Sequence, residues 1–176
     1  MTLTQDILCK TITLDYDDEM KNTRKLLECV PDGKMDYKPH EKSMTLGRLA
    51  GHVAEIPSYG TATIRLEKLE MKGGEKPFSP ATKQELLETF EKHATEARAA
   101  IAGASDEELA KIWSFHYAGK EVFSMPRVAV LRGMMMNHLI HHRAQLGVYL
   151  RMNNVEFPGM YGPSADEMKH WQAQSA

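Results

Sequence analysis

The chemistry in this chain is concentrated in "MNHLIHHRAQLGVYLR", Met136 to Arg151, where three histidines fall within five residues. A helix turns about 100° per residue, so His138 and His142 stand about 40° apart and one turn along. Two imidazoles at i and i+4 can converge on one metal ion, as in zinc sites built on helices. Gln145 lies within about 20° of His138, a further turn on. Leu131, Met135, His138, His142, Gln145 and Tyr149 thus form one stripe, apolar at its ends and polar in its middle. Leu139, Leu146 and Leu150 form a neighbouring stripe that reads as core.

A metal needs a third ligand, and His52 is the best candidate. It sits beside Leu49 and Ile56 on another amphipathic segment, and helical bundles build metal sites from facing helices. The pairing of His138 with His141, about 60° apart on the other side, stays open on geometry. The i,i+4 pair is better aligned and favours His142, which leaves His141 to a helix–helix boundary. His40, His93, His116 and His170 fall in loops or on less informative faces and read as surface or structural residues. Histidines that only hydrogen-bond within a core are the bland alternative for the whole set.

Four helical segments must position these groups. The first runs from about Gln5 to Val30, with Thr4 as its cap, and its apolar spacing is the least regular. "PDGKMDYKPHEK" breaks it with two prolines and a glycine. The second begins near Thr45, carries Leu46, Leu49, Val53 and Ile56 on one face, and runs to about Met71 before Gly73 and Gly74. Pro57 inside it predicts a kink one turn beyond His52. Thr82 and Glu85 form a capping-box pattern opening the third, with Leu87, Phe90, Ala94, Ala97 and Ile101 following to about Ala102. Ser105 and Glu108 repeat that pattern for a short turn. Residues 112–124 read as a small hairpin or extended crossover, and Pro126 opens the fourth helix, which runs to about Met152. Ser164 and Glu167 cap a last short helix.

This pattern predicts an all-α fold: one domain over residues 1–176, a four-helix bundle with a small crossover and a short C-terminal helix. Simple up-and-down and up-down-down-up connections both fit. The 176 residues, 42% hydrophobic and 26% charged, suit a single core. No apolar run approaches a membrane span, and the N-terminus shows no signal peptide. The net charge of -2 lacks the basic excess of a nucleic-acid binder. Cys9 and Cys29, about 30 Å apart on one helix, are too distant for a disulfide and suit a reducing cytoplasm.

"LGRLAGHVAEIPSYG", followed much later by "NHLIHHRAQLGVYLRMNNVEFPGMYGPSADE", resembles the DinB-like metalloproteins, the damage-inducible helical bundles. "DYKPHEKSMTLGRLAGHVAE" and Trp113 before the fourth helix extend the resemblance over nearly the whole chain. It implies an up-down-down-up bundle, often a homodimer. It also implies a divalent metal on His52, His138 and His142. Characterised relatives include thiol-dependent transferases and isomerases, which makes a low-molecular-weight thiol the expected cosubstrate.

Three neutral imidazoles leave a divalent ion with open positions for water or a thiol. Small-thiol transfer, addition and hydrolysis all fit such a site. A non-catalytic, stress-related metal- or ligand-binding bundle is the second reading, and a metal-free bundle the third. Imidazole suits Zn or Ni first, with Fe, Mn and Cu also accepted. Glu55, three residues after His52, is a candidate base or ligand-orienting group, or a solvated surface residue. Gln145 is a candidate partner for a ligand imidazole or a bound water. Tyr59, Trp113 and Tyr161 are candidate pocket aromatics, Tyr161 by covering one end of the site. The consecutive methionines 134–136 read as core filling, and Arg143 and Arg151 as ion pairs or helix caps.

Overall fold

A computed structural model describes residues 6–174. Thr4, expected to cap the first helix, lies outside the described residues, and so does the side chain of His170. The first helix, α1 (Ile7–Glu28), buries Cys9, Ile12, Tyr16, Met20, Thr23, Leu26 and Leu27. Its stripe is a regular helical face whose small and polar members blur the apolar periodicity.

The second helical segment departs most from expectation. Thr45 caps α2 (Leu46–Glu55) by accepting from the Arg48 amide at 3.1 Å. Leu46, Leu49, Val53 and Ile56 are buried, each contributing about 1.5–3 kcal/mol to holding this face on the core. Pro57 removes one amide donor and does more than kink the helix. It divides α2 from α3 (Ser58–Arg65). The chain then leaves helix altogether, for the Arg127 guanidinium takes the Ile64 and Leu66 carbonyls at 2.9 and 3.1 Å and closes the last turn. Residues expected to continue the helix to Met71 instead form strand β1 (Lys68–Met71).

α4 (Lys83–Ala102) buries Phe90, Ala94, Ala97, Ala100 and Ile101, and in the first turn Leu86 takes the core position expected of Leu87, which is only partly buried. Thr82 Oγ1 accepts from the Glu85 amide, while the Glu85 carboxylate reaches the Ala81 amide at 2.7 Å. Ser105 caps α5 (Asp106–Ala110). The hairpin follows as β2 (Ile112–Tyr117) and β3 (Lys120–Pro126). Ala118 and Gly119, both at positive φ, make the two-residue turn that suits twisted strands.

β1 pairs parallel with β2, so the sheet order is β1-β2-β3. The all-α expectation is therefore corrected: the crossover is a hairpin extended into a three-stranded sheet by a strand that the sequence disguises as helix.

The fourth helix is not uniform. A single turn, α6 (Arg127–Val130), runs into a π-helical stretch over Leu131–Asn137 and then α7 (His138–Met152). The wider turns let Met135 and Met136 both face the core. Gly60 of α3 allows the close approach; a Cβ there would stand 2.6 Å from Met135 Sδ. The tail ends in α8 (Ala165–Gln174), opened by a reciprocal Ser164–Glu167 capping box.

α4 packs against α1, α2 and α3, and α7 against α1 and α2. Cys9 Sγ donates to Ile101 O at 3.2 Å while Arg24 pairs with Glu91, so α1 and α4 run in opposite directions. Arg132 pairs with Asp15 and Arg143 with Glu19, so α7 runs along α1. Tyr149 donates to Met44 O while His52 meets His138, so α2 and α7 are antiparallel. Cys9 and Cys29 are both free thiols. Among the described residues, no helix is long and apolar enough to cross a membrane.

Candidate metal centre

α2 carries His52 toward α7, and the three rings of His52, His138 and His142 meet there, half-buried. One ligating nitrogen from each lies within 4.8 Å of the others. His52 Nε2 and His138 Nε2 are 3.2 Å apart. Two imidazole nitrogens bound tetrahedrally at 2.0–2.1 Å from zinc would stand about 3.3 Å apart. The spacing therefore fits a shared cation.

Hydrogen bonds at Nδ1 fix the tautomers of His138 and His142. As the π-helical stretch ends, the His138 amide bonds to Met135 O. The ring Nδ1–H of His138 donates to the Met134 carbonyl at 3.2 Å, which leaves its Nε2 lone pair facing His52. The His142 Nδ1–H donates to Gln145 Oε1 at 2.7 Å, leaving its Nε2 as the ligating atom. Such outer hydrogen bonds orient ligand imidazoles and raise their basicity.

Burial pushes the His52 pKa down to about 3, helped by His142, His138 and Arg48. Burial also lowers His138, with His142 adding to the effect, and lowers His142 against the opposing Gln145 bond. The cluster is neutral at pH 7, the state in which imidazole binds metal.

The other expected residues divide. Tyr59 stacks on the His138 ring, 6.2 Å between centroids and 16° between planes. Glu55 is engaged by Arg48, whose Nη1 lies 3.1 Å from its Oε2 and also donates to Phe78 O. Trp113 is buried in β2 against Phe123, away from the histidines. Tyr161 lies on the α1 side of α7, bonded to Arg143 and Glu19, whereas the triad is on the α2 side. His141 is exposed rather than at a helix–helix boundary, though its ring stands 4.8 Å from that of His142. His40 is exposed, His93 half-buried on α4, and His116 bonded to Ser114 in the sheet.

One arginine went unread, and a second, Arg143, was read as an ion pair or helix cap, which its pair with Glu19 bears out, but not as buried. Arg48 lies one helical turn before His52 and two before Glu55, a spacing that places it on the same face. Arg143 occupies the i+4 position of the stripe Leu139, Leu146 and Leu150, and that position marks it as buried.

A curated relative, the uncharacterized protein YrdA of Bacillus subtilis (strain 168), is 24% identical over 156 residues, covering 86% of this chain and 87% of its own. The crystal structure of a DinB-like protein from Bacillus cereus ATCC 10987 matches with a TM-score of 0.67 at 23% identity, covering 86% of this chain and 97% of that one. The DinB-like protein YjoA of Bacillus subtilis matches at 0.65 and 20% identity, covering 85% and 96%. These two likenesses show a shared fold. The sequence pattern of the DinB superfamily matches residues 15–146, a stretch that holds all three histidines, and the chain belongs to that superfamily.

Proposed function

We propose that this protein is a divalent-metal-dependent enzyme acting on a small molecule, by small-thiol transfer or a related addition or hydrolysis. The observation that carries the reading is the convergence of three neutral, pre-oriented imidazoles within 4.8 Å, with His142 and Gln145 lining a pocket of about 430 Å³. Held by His52, His138 and His142, a divalent ion such as Zn or Ni would supply Lewis acidity and favour the deprotonated form of a bound water or thiol. The chain's own groups do the positioning. Met134 O and Gln145 hold the rings, Tyr59 backs His138, and Arg48 keeps Glu55 in an ion pair beside the site.

The contact directions among α1, α2, α4 and α7 support an up-down-down-up, four-helix path within a single domain. Two free cysteines support a cytoplasmic setting. A homodimer follows from the family resemblance.

The test is metal content of untagged protein with His52→Ala and His138→Ala alongside, followed by thiol-consumption assays with small electrophiles. About one metal per chain is expected in the parent and none in either variant, as for a three-histidine site. The ion should also raise the parent's Tm and leave both variants unmoved, since a ligand stabilises only the fold that binds it. A parent that takes up no Zn, Ni, Mn or Fe(II) would sink the metal reading. Tight metal without turnover would leave a binding bundle.

A further inference from the structure

The pocket that meets the triad at His142 has a chemistry of its own. Its apolar walls are Met44, Val148 and Tyr149, and Lys42 lines it from the exposed loop before α2. The Tyr149 hydroxyl bonds to Met44 O at 3.3 Å, so two of those walls are tied together and the pocket is preformed. Val148 is 58% exposed, an apolar side chain left open to water at that place. Among the described residues no carboxylate lines the pocket, and Lys42 is the one formally charged side chain that does. The volume of about 430 Å³ lies toward the lower end of the range for small-ligand sites.

Charge and shape then select a ligand. Three neutral imidazoles bring no negative charge to a divalent ion, so a loaded site carries its full positive charge, and Lys42 adds to it. A neutral ligand would leave that charge unanswered. A small polar anion would answer it but leave Met44 and Val148 wet. We propose that the pocket takes a small organic anion, a carboxylate on a short apolar body, with the charge met by Lys42 and the metal centre and the body lying on Met44, Val148 and Tyr149. This rests on the three-histidine reading of the site.

Isothermal titration of the full-length, metal-loaded protein with hexanoate, hexan-1-ol and acetate separates the two requirements. Hexanoate should bind at least about tenfold tighter than hexan-1-ol, which lacks the charge, and than acetate, which lacks the buried methylenes. Lys42→Gln should weaken hexanoate about two- to fivefold, the worth of an exposed ion pair, and leave hexan-1-ol unchanged. Val148→Asp, a surface change that spares the core, should abolish hexanoate binding. Equal binding of hexanoate and hexan-1-ol, equal binding of hexanoate and acetate, or no binding of any of the three overturns the assignment. Metal content measured on the same samples keeps the two readings apart. If the protein holds no metal, the enzyme reading fails, and hexanoate binding to the metal-free chain that ignores both variants overturns this inference separately.

Discussion

α7 buries polar groups on two faces, and the faces end differently. Toward α1, Arg143 is 2% exposed. It donates to Glu19 O and Thr23 Oγ1, both at 3.1 Å, and to the Tyr161 hydroxyl at 3.0 Å, with the Glu19 carboxylate 2.7 Å away. Toward α2, His138 and His142 spend one nitrogen each on an orienting bond and turn the other toward His52. The first face has its charges matched in an ion pair, with Glu19 Oε2 held by the guanidinium's charge and no aligned hydrogen bond. The second is an arrangement of lone pairs aimed at one point. Buried polarity that meets its own counter-charge is structure, whereas neutral imidazole nitrogens that converge without a counter-charge suit a cation.

The largest effect that separates the faces is on stability. Arg143→Met leaves the Glu19 carboxylate buried without its counter-charge. Breaking such a pair costs about 3–5 kcal/mol. At this chain length that lowers Tm by about 6–20 °C, read by thermal denaturation of the metal-free protein. Adding Glu19→Leu should recover much of the loss, because an apolar replacement of both partners is often neutral. Metal bound per folded chain should stay at the parent's value. A loss under about 1 kcal/mol would put Arg143 with ordinary surface pairs and erase the contrast.

How much of this was legible follows from the same physics. The α4 stripe and the caps at Thr82, Ser105 and Ser164 were legible because spacing and local hydrogen bonds encode them. The convergence of the three histidines was legible too, since His138 and His142 interrupt an apolar stripe and His52 edges another. β1 was not. Leu66 and Leu69 keep helical spacing, and the strand exists through a parallel partner far along the chain and the Arg127 clamp on α3. No residue type announces the π-helical stretch either. It is set by the packing of Met135 and Met136 against Gly60 and the core. Tyr161 sits in a tail whose path depends on the Arg143 network and the Arg151–Asp166 pair, which spacing does not reveal.

A second, smaller test acts on the open face alone. Gln145 is exposed, and its contribution is the 2.7 Å bond to His142 Nδ1. Gln145→Ala should weaken metal affinity about 10–100-fold, the usual effect of removing an outer partner of a ligand histidine. Stability of the metal-free chain should move by no more than about 0.5 kcal/mol, as at ordinary surface sites. Competition with a chromophoric chelator reads the first, and urea unfolding the second. Unchanged affinity would make the bond a packing contact.

The third effect is a slope. His52 titrates near 3 in the folded chain, with burial as the first cause, and His138 and His142 are lowered as well. An unfolded histidine titrates near 6.5. Between those values the unfolded chain binds more protons than the folded one, so stability rises with pH across the window and falls as pH drops from about 6.5 toward 3. The metal-free protein should therefore show a declining urea midpoint as buffers step from pH 7 to pH 4, and His52→Ala should flatten that decline. Bound metal should shift the decline to lower pH until protons displace it, because the ion binds only the neutral rings. An identical slope in parent and His52→Ala would mean that the rings ionise without cost where they stand. The triad would then be as solvated as a surface cluster, and the contrast between the two faces of α7 would rest on Arg143 alone.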